Sequence, residues 1–276
     1  MRGAPAIRPK YAMLVEMLDV AAQSDPGLVF VNRKEQDQDV SFARIREQAQ
    51  SVAGDLVRRG VRKGDRVALV LPTSPEFVQC FFSVLCAGAI PVPLYPPLRL
   101  GKLDEFQRRT TAMLKAVDAA MVVTDERIRR FLGVAVANSA SAFGCVTASS
   151  LGGPISDAVK GGADDVAVIQ FSSGTTNDPK PVALNHANLL SNLTTLEQYI
   201  TADGARPVVG VTWLPLYHDM GLIGNLLSAF YVPAKLVLLP PELFVAVPGA
   251  WLRAISRHRG TITAAPNFAF GLCSSA

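Results

Sequence analysis

Residues Phe171 to Pro181 read FSSGTTNDPKP, with Ser172, Ser173, Thr175 and Thr176 gathered around Gly174 and Lys180 just beyond. Hydroxyls add hydrogen-bond donors without adding charge, and a loop leaving a buried strand can turn several backbone N–H groups inward. Together these make a nest for phosphate oxygens. Gly174 permits close backbone approach and positive φ, Asn177 tolerates a left-handed conformation, and Pro179 stiffens the arm that carries Lys180. Lys180 is a mobile point charge suited to outer phosphates. The order of residues excludes a Walker A loop: there is no GxxxxGK followed by Ser or Thr, and the next residues read as a strand, not a phosphate-capping helix. A polar surface hairpin would have much the same composition, and that alternative stays open on these residues alone.

The elements that must position this loop alternate between apolar strands and amphipathic helices, which predicts an α/β fold with at least partly parallel sheets. Residues 11–24 read as a helix, 28–33 as a strand, and EQDQD as a polar turn. Ser41 caps a helix to Arg59, in which Phe42, Ile45, Ala49, Val52 and Leu56 recur at helical spacing. RVALVL (66–71) reads as a buried strand. Ser74-Pro75-Glu76 opens a helix that is apolar nearly all round and therefore central. A short strand (AIPVPL), a rigid YPPLR turn, a helix over about 102–117 and the strand AMVVT follow. The Gly-, Ser- and Asp-rich stretch 149–165 is the best boundary, dividing the chain into 1–165 and 166–276. Strands are expected at 166–171 and 182–185, then a helix from about His186 to Tyr199 and a strand at VVGVTWL. A further helix begins near Asp219, followed by the strand KLVLLP and a helix over 248–259.

Composition narrows the classes. The 276 residues carry 27 Lys plus Arg against 23 Asp plus Glu, a net charge of +4 with no basic run interleaved with aromatics. Nucleic-acid binding therefore has little support. Cys80, Cys86, Cys145 and Cys273 are scattered without metal-ligand spacing, so neither zinc nor a disulfide framework is expected, and reduced thiols in a cytoplasmic protein fit better. The apolar stretch 226–251 is broken by four prolines and carries Lys235 and Glu242, a poor membrane span.

SSGTTNDPKPVALNH resembles the phosphate-binding signature of the acyl-adenylate-forming superfamily, Ser/Thr-Ser-Gly-Ser/Thr-Thr-Gly-x-Pro-Lys-Gly. Here Asn177 and Pro181 stand where that pattern has glycines, and Pro181 suggests a loop held by proline. A second stretch, TWLPLYHDMGLIG (212–224), is similar to the motif that gates the acyl site. Its wording, with LPTSPEFV, AIPVPLYPP and APNFAFGLC, looks like the fatty acyl-AMP ligase branch.

The resemblance implies the N-terminal large-domain portion of the adenylate-forming α/β fold, truncated before the C-terminal domain. It implies activation of a fatty acid with ATP and Mg²⁺ to acyl-AMP and pyrophosphate, then transfer to the phosphopantetheine of an acyl carrier protein, or to CoA. Ser172, Ser173, Gly174, Thr175, Thr176 and Lys180 would hold the phosphates, and Lys180 would neutralise departing pyrophosphate. His218 would stand near the carboxylate and α-phosphate, with Trp213, Met220 and Gly221 beside the acyl group, although core packing explains the apolar residues equally well. Asp219 reads as a helix cap, His186 as ordering the next helix, and His258 as surface. The family's later motifs have no counterpart here, so a fragment without efficient adenylation activity is expected. A long-chain acyl-CoA synthetase fragment and a non-catalytic nucleotide- or acyl-binding module are the competing readings.

Overall fold

The structure is a computed structural model that describes residues 8–97, 103–172, 180–202, 204 and 207–274. Its elements run α1 (Leu14–Ala21), β1 (Gly27–Val31), β2 (Asp37–Ser41), α2 (Phe42–Arg58), β3 (Arg66–Val70), α3 (Pro75–Cys86) and β4 (Ile90–Pro93). Then come α4 (Leu103–Ala116), β5 (Ala119–Thr124), α5 (Glu126–Ser139), β6 (Cys145–Thr147), a 3-10 turn over Ala148–Ser150, β7 (Val166–Phe171), β8 (Pro181–Asn185) and α6 (His186–Ile200). The last are β9 (Val209–Thr212), a π-helix over Met220–Leu227, α7 (Ser228–Tyr231), β10 (Lys235–Leu238), α8 (Pro241–Ala246), α9 (Gly249–His258) and α10 (Asn267–Ser274). Among the described residues no helix is long and apolar enough to cross a membrane.

The chain forms two compact units that do not follow its linear order. One comprises residues 1–43, 162–164 and 186–276; the other comprises 44–161 and 165–185. The expected division at residue 165 is a division along the chain, whereas these units exchange segments.

In the second unit the sheet runs β4-β3-β5-β6, all parallel. Its strands are continuous apolar runs, as strands covered on both faces must be. The Ser74 hydroxyl accepts from the Phe77 N–H at 3.3 Å, Pro75 occupies the first turn, and ten of the twelve residues of α3 are buried. One core cluster joins Val70, Val92, Phe106, Leu114, Val122 and Leu132. β7 and β8 form an antiparallel hairpin in which Phe171 is in register with Pro181. α5 was not legible in the sequence. Asp125 caps it, accepting from Ile128 N–H at 2.6 Å, but it buries only Ile128, Leu132 and Ala135, a narrow stripe between arginines.

The stretch 149–165 reads as a boundary in sequence but lies against α2 and α3. Ser51 Oγ donates to Gly153 O at 2.7 Å and accepts from Gly153 N–H at 3.0 Å, and Val159 N–H donates to Cys86 O at 2.7 Å. Gly54 makes room for it, since a Cβ there would sit 2.9 Å from Pro154 O. Asp55, 9% exposed, anchors this strap: its carboxylate takes Arg59 Nε at 3.0 Å, Arg58 Nη2 at 3.4 Å and Gly152 N–H at 3.3 Å.

In the first unit the sheet order is β2-β1-β10-β9; β1–β10 and β10–β9 are parallel and β1–β2 antiparallel. The sequence predicts EQDQD as turn alone, but Asp37–Ser41 is an edge strand. Only Val40 of it is buried, so no apolar alternation betrays it; its polar face suits an edge. The tight turn before it is made by Asn32 Oδ1, which accepts from Lys34 N–H and Gln36 N–H, with Glu35 at φ 57. His258, expected at the surface, has a side chain only 8% exposed, with Nε2 3.3 Å from Asp37 Oδ2. The correction has a plain cause: Arg253 pairs with Glu35 and Arg257 with Asp37, drawing the β1–β2 turn over the end of α9. His186 opens α6, and its Nδ1 accepts from Leu14 N–H at 3.1 Å, tying α1 to that helix.

Burial of Asp55 opposes its ionisation, but the Arg59 hydrogen bond, the Gly152 N–H and the Arg58 charge outweigh it and hold its carboxyl below the ordinary 3.8. A carboxyl lowered in the folded state stabilises at pH above its unfolded value and loses that contribution as pH falls through the folded one. Asp55→Asn is therefore expected to be less stable than wild type at neutral pH, with the difference shrinking below about pH 4. Urea unfolding across that range checks it; a difference that stays constant with pH contradicts the assignment.

Candidate functional site

The phosphate-loop candidate sits at the tip of the β7–β8 hairpin. Ser172 N–H donates to Lys180 O at 3.0 Å, so these two residues face each other as the last rung of the ladder, and both are exposed. Ser173, Gly174, Thr175 and Thr176 lie outside the described residues. Pro181 has no N–H to give, and its place as the first residue of β8, the hairpin's outer strand, is one where a strand tolerates proline. A β-hairpin with a serine hydroxyl on one arm and a lysine on the other brings a donor and a cation to one end of the second unit.

The second candidate lies in the first unit, where the chain leaves β9 at Thr212. Trp213 turns into the core: it is 5% exposed, stacked on Phe244 at 3.9 Å between ring centroids and edge-on to Trp251 at 6.4 Å. The chain then folds back over Pro215. His218 N–H donates to Pro215 O at 3.1 Å, and Leu222 N–H donates to His218 O at 2.8 Å. Gly221 follows from this turn, because a Cβ there would fall 2.1 Å from Pro215 O and 3.0 Å from Leu214 O.

His218 and Asp219 are both exposed at the head of the π-helix, with His218 Nδ1 2.6 Å from Asp219 Oδ1. The same carboxylate oxygen accepts from Met220 N–H at 2.6 Å. Asp219 thus caps the helix and holds the imidazole at Nδ1, a nitrogen that also lies 3.4 Å from Met220 N. Asp219 was expected only as a cap; its second role depends on the His218 rotamer, which a sequence does not state. Tyr217, half-buried beside this turn, has its phenol pushed up to about 12 by burial first and the Glu242 charge second, so it stays a neutral hydroxyl.

A π-helix closes its backbone hydrogen bonds five residues apart, one more than an α-helix, which widens each turn. Asn225 Nδ2 donates to Met220 O at 2.7 Å and Ser228 Oγ donates to Ile223 O at 3.1 Å, so side chains five residues on also bond the helix carbonyls. A cavity of about 300 Å³ lies beside it, lined among others by Met220, Gly224, Leu196, Tyr199, Leu236 and Ile262. Of the residues expected beside an acyl group, Met220 lines this cavity, whereas Trp213 packs in the aromatic core and Gly221 lies against Pro215. Periodicity announces a helix here but not that it is widened, so the cavity had no signal in the sequence.

Among the described residues no group of three or more His, Cys, Asp or Glu side chains is placed to hold a metal ion. Magnesium that arrives on a nucleotide keeps several waters and takes one or two protein ligands besides the phosphates.

Gly221→Ala is expected to destabilise by about 1–3 kcal/mol, because the added methyl must displace backbone and not a flexible side chain. Thermal unfolding measures this; an unchanged midpoint would show that the turn over Pro215 is slack.

The sequence pattern of the AMP-binding enzyme family matches residues 18–274. A long-chain-fatty-acid–AMP ligase of Mycobacterium marinum is 32% identical over 244 residues, covering 84% of this chain and 40% of that protein. A medium-chain-fatty-acid–acyl-carrier-protein ligase of Moorena producens is 26% identical, over 96% of this chain and 46% of its own length. Among solved structures, one from a study of fatty acyl-adenylate ligases of E. coli and L. pneumophila superposes with a TM-score of 0.88. It is 30% identical, and the match covers 96% of this chain and 48% of that one. The chain spans about half the length of the relatives it matches, and the architecture is that of the N-terminal part of the adenylate-forming large domain. With a family pattern that runs nearly from end to end, this chain belongs to the AMP-binding enzymes.

Proposed function

We propose that this chain is the N-terminal part of a fatty acyl-AMP ligase, which joins a fatty carboxylate to ATP and releases pyrophosphate. The observation that carries the reading is the head of the π-helix: an exposed His218, held by Asp219, two residues before Met220, which lines an apolar cavity. A fatty acid needs such a combination, a polar group for its carboxylate and dry surface for its chain.

In this reaction a carboxylate oxygen forms a bond to the α-phosphorus and the bond from that phosphorus to the bridging oxygen of pyrophosphate breaks. The nucleophile is already an anion, so no general base is required. What the protein must supply is alignment and neutralisation of two approaching negative groups. In the proposal, Ser172, Ser173, Gly174, Thr175 and Thr176 hold the outer phosphates by N–H and hydroxyl donors, and Lys180 offsets the charge gathering on pyrophosphate. His218, with both ring nitrogens protonated, gives Nδ1–H to Asp219 and donates from Nε2 to an oxygen of the carboxylate or α-phosphate. Met220 borders the alkyl chain; Trp213 and Gly221 support that wall from the core and from the turn. Mg²⁺ supplies charge compensation on the nucleotide.

The proposed acceptor is the phosphopantetheine thiol of an acyl carrier protein, the partner named for the Moorena relative. With ATP and a carrier protein as its substrates, the enzyme would work in the cytoplasm.

The test is fatty-acid-dependent exchange between ATP and pyrophosphate in the complete protein that carries these residues. Removing one charge-assisted contact to a phosphate costs about 1.5–3 kcal/mol, so Lys180→Ala should slow exchange roughly 10- to 150-fold. His218→Ala should slow it by about tenfold or more. Wild-type exchange in Lys180→Ala would remove that residue from the mechanism, and transfer to free CoA in preference to the carrier protein would move the chain to the CoA ligases.

A further inference from the structure

The relatives' names do not agree on chain length: one acts on long-chain and another on medium-chain fatty acids. The cavity of this chain is more definite. Its volume is about 300 Å³. A methylene takes up about the space of a water molecule in its liquid, ~30 Å³, so roughly ten chain carbons fill it. Most of the residues around it are apolar. Of the polar ones, Asn225 donates to Met220 O, Ser228 to Ile223 O, and Thr263 Oγ1 to Val211 O at 2.6 Å. Lys235 alternates with Val237, which packs in the aromatic core, and its charge acts on His258. In a strand, positions two apart share a face, so the ammonium leaves on the side away from Leu236, which lines the cavity. The Tyr199 phenol, on a residue 75% exposed, is the polar group of the lining that is not committed in this way.

Gly224 controls the space. It lies one widened turn beyond Met220 and lines the cavity, and a Cβ there would meet only Met220 Cγ, at an ordinary 3.7 Å. Its backbone is not in the left-handed region. A larger side chain at 224 therefore goes into the cavity without straining the helix.

We propose that this cavity is a gauge for medium-chain carboxylates of about ten carbons, with Gly224 setting its depth. The inference rests on the reading of His218 as the carboxylate end of the same site.

The experiment is calorimetric titration of the chain with saturated monocarboxylates from hexanoate to hexadecanoate. A buried methylene contributes about 0.8 kcal/mol at most, which is about a fourfold gain in affinity. Binding should tighten by about twofold to fourfold per methylene up to roughly ten carbons and then level off, because later carbons stay in water. Gly224→Leu should bring the levelling point back by about three or four carbons, the size of the added side chain, and Gly224→Ala by about one. Thermal unfolding establishes that both variants are folded.

Steady tightening through hexadecanoate overturns the gauge, as does a folded Gly224→Leu with the wild-type profile, or absence of binding at every length. The role of His218 is judged separately. If the profile levels as expected but His218→Ala binds carboxylates as tightly as wild type, the gauge survives and the carboxylate reading of His218 falls.

Discussion

The contact between Gly221 and the Pro215 carbonyl governs the first unit's site. With a Cβ excluded by an oxygen 2.1 Å away, the chain after β9 can double back tightly and enter a helix almost at once. That helix is a π-helix, and the Asn225 and Ser228 side chains hydrogen-bond its Met220 and Ile223 carbonyls. Two results follow from one backbone approach. The helix head projects His218 and Asp219 outward as a hydrogen-bonded pair, and the widened turns leave a face of Met220 and Gly224 that does not close on its neighbours. Polar chemistry and apolar space are thereby set side by side.

The other unit solves a different problem. Loops that bind phosphate need many donors in a small space, and those donors cannot be left unpaired in a core. Among the described residues the β7–β8 ladder satisfies its backbone groups as far as the Ser172–Lys180 rung, where the phosphate-loop candidate begins. Pro181, a departure from the family pattern, costs nothing in this setting, because the first residue of an outer strand can do without an N–H. The parallel sheet behind it, with α3 buried over ten of its residues, is the rigid support that such a hairpin requires.

Charge is used sparingly and locally. Asp55 collects two arginines and a backbone N–H to strap the 149–165 stretch onto α2, and the pairs of Glu35 with Arg253 and Asp37 with Arg257 hold the β1–β2 turn against α9. The pairs of Glu35 and Asp37 are exposed and contribute little each, whereas Asp55 is buried. Their effect is to fix where glycine-rich and turn segments lie, which is why stretches that look like linkers in the sequence are tied down in the fold.

The sequence alone determined the elements whose apolar residues recur at a clear period: α2, α3, the buried strands β3, β5, β7 and β10, and the capped start at Ser74. It also determined the family, since residue order in the hydroxyl-rich loop and in the His218 segment is chemistry written in one dimension. It was silent where burial is one-sided or narrow. β2 has one buried residue and α5 three, too few to make a period. Only the tertiary structure decided that His258 is covered, that the chain's two units exchange segments, and that the helix after His218 is wide enough to border a cavity. Those features arise from contacts between residues far apart in the chain, such as Asp37 with Arg257, or from a backbone clash at Gly221 that no pattern of residue types encodes.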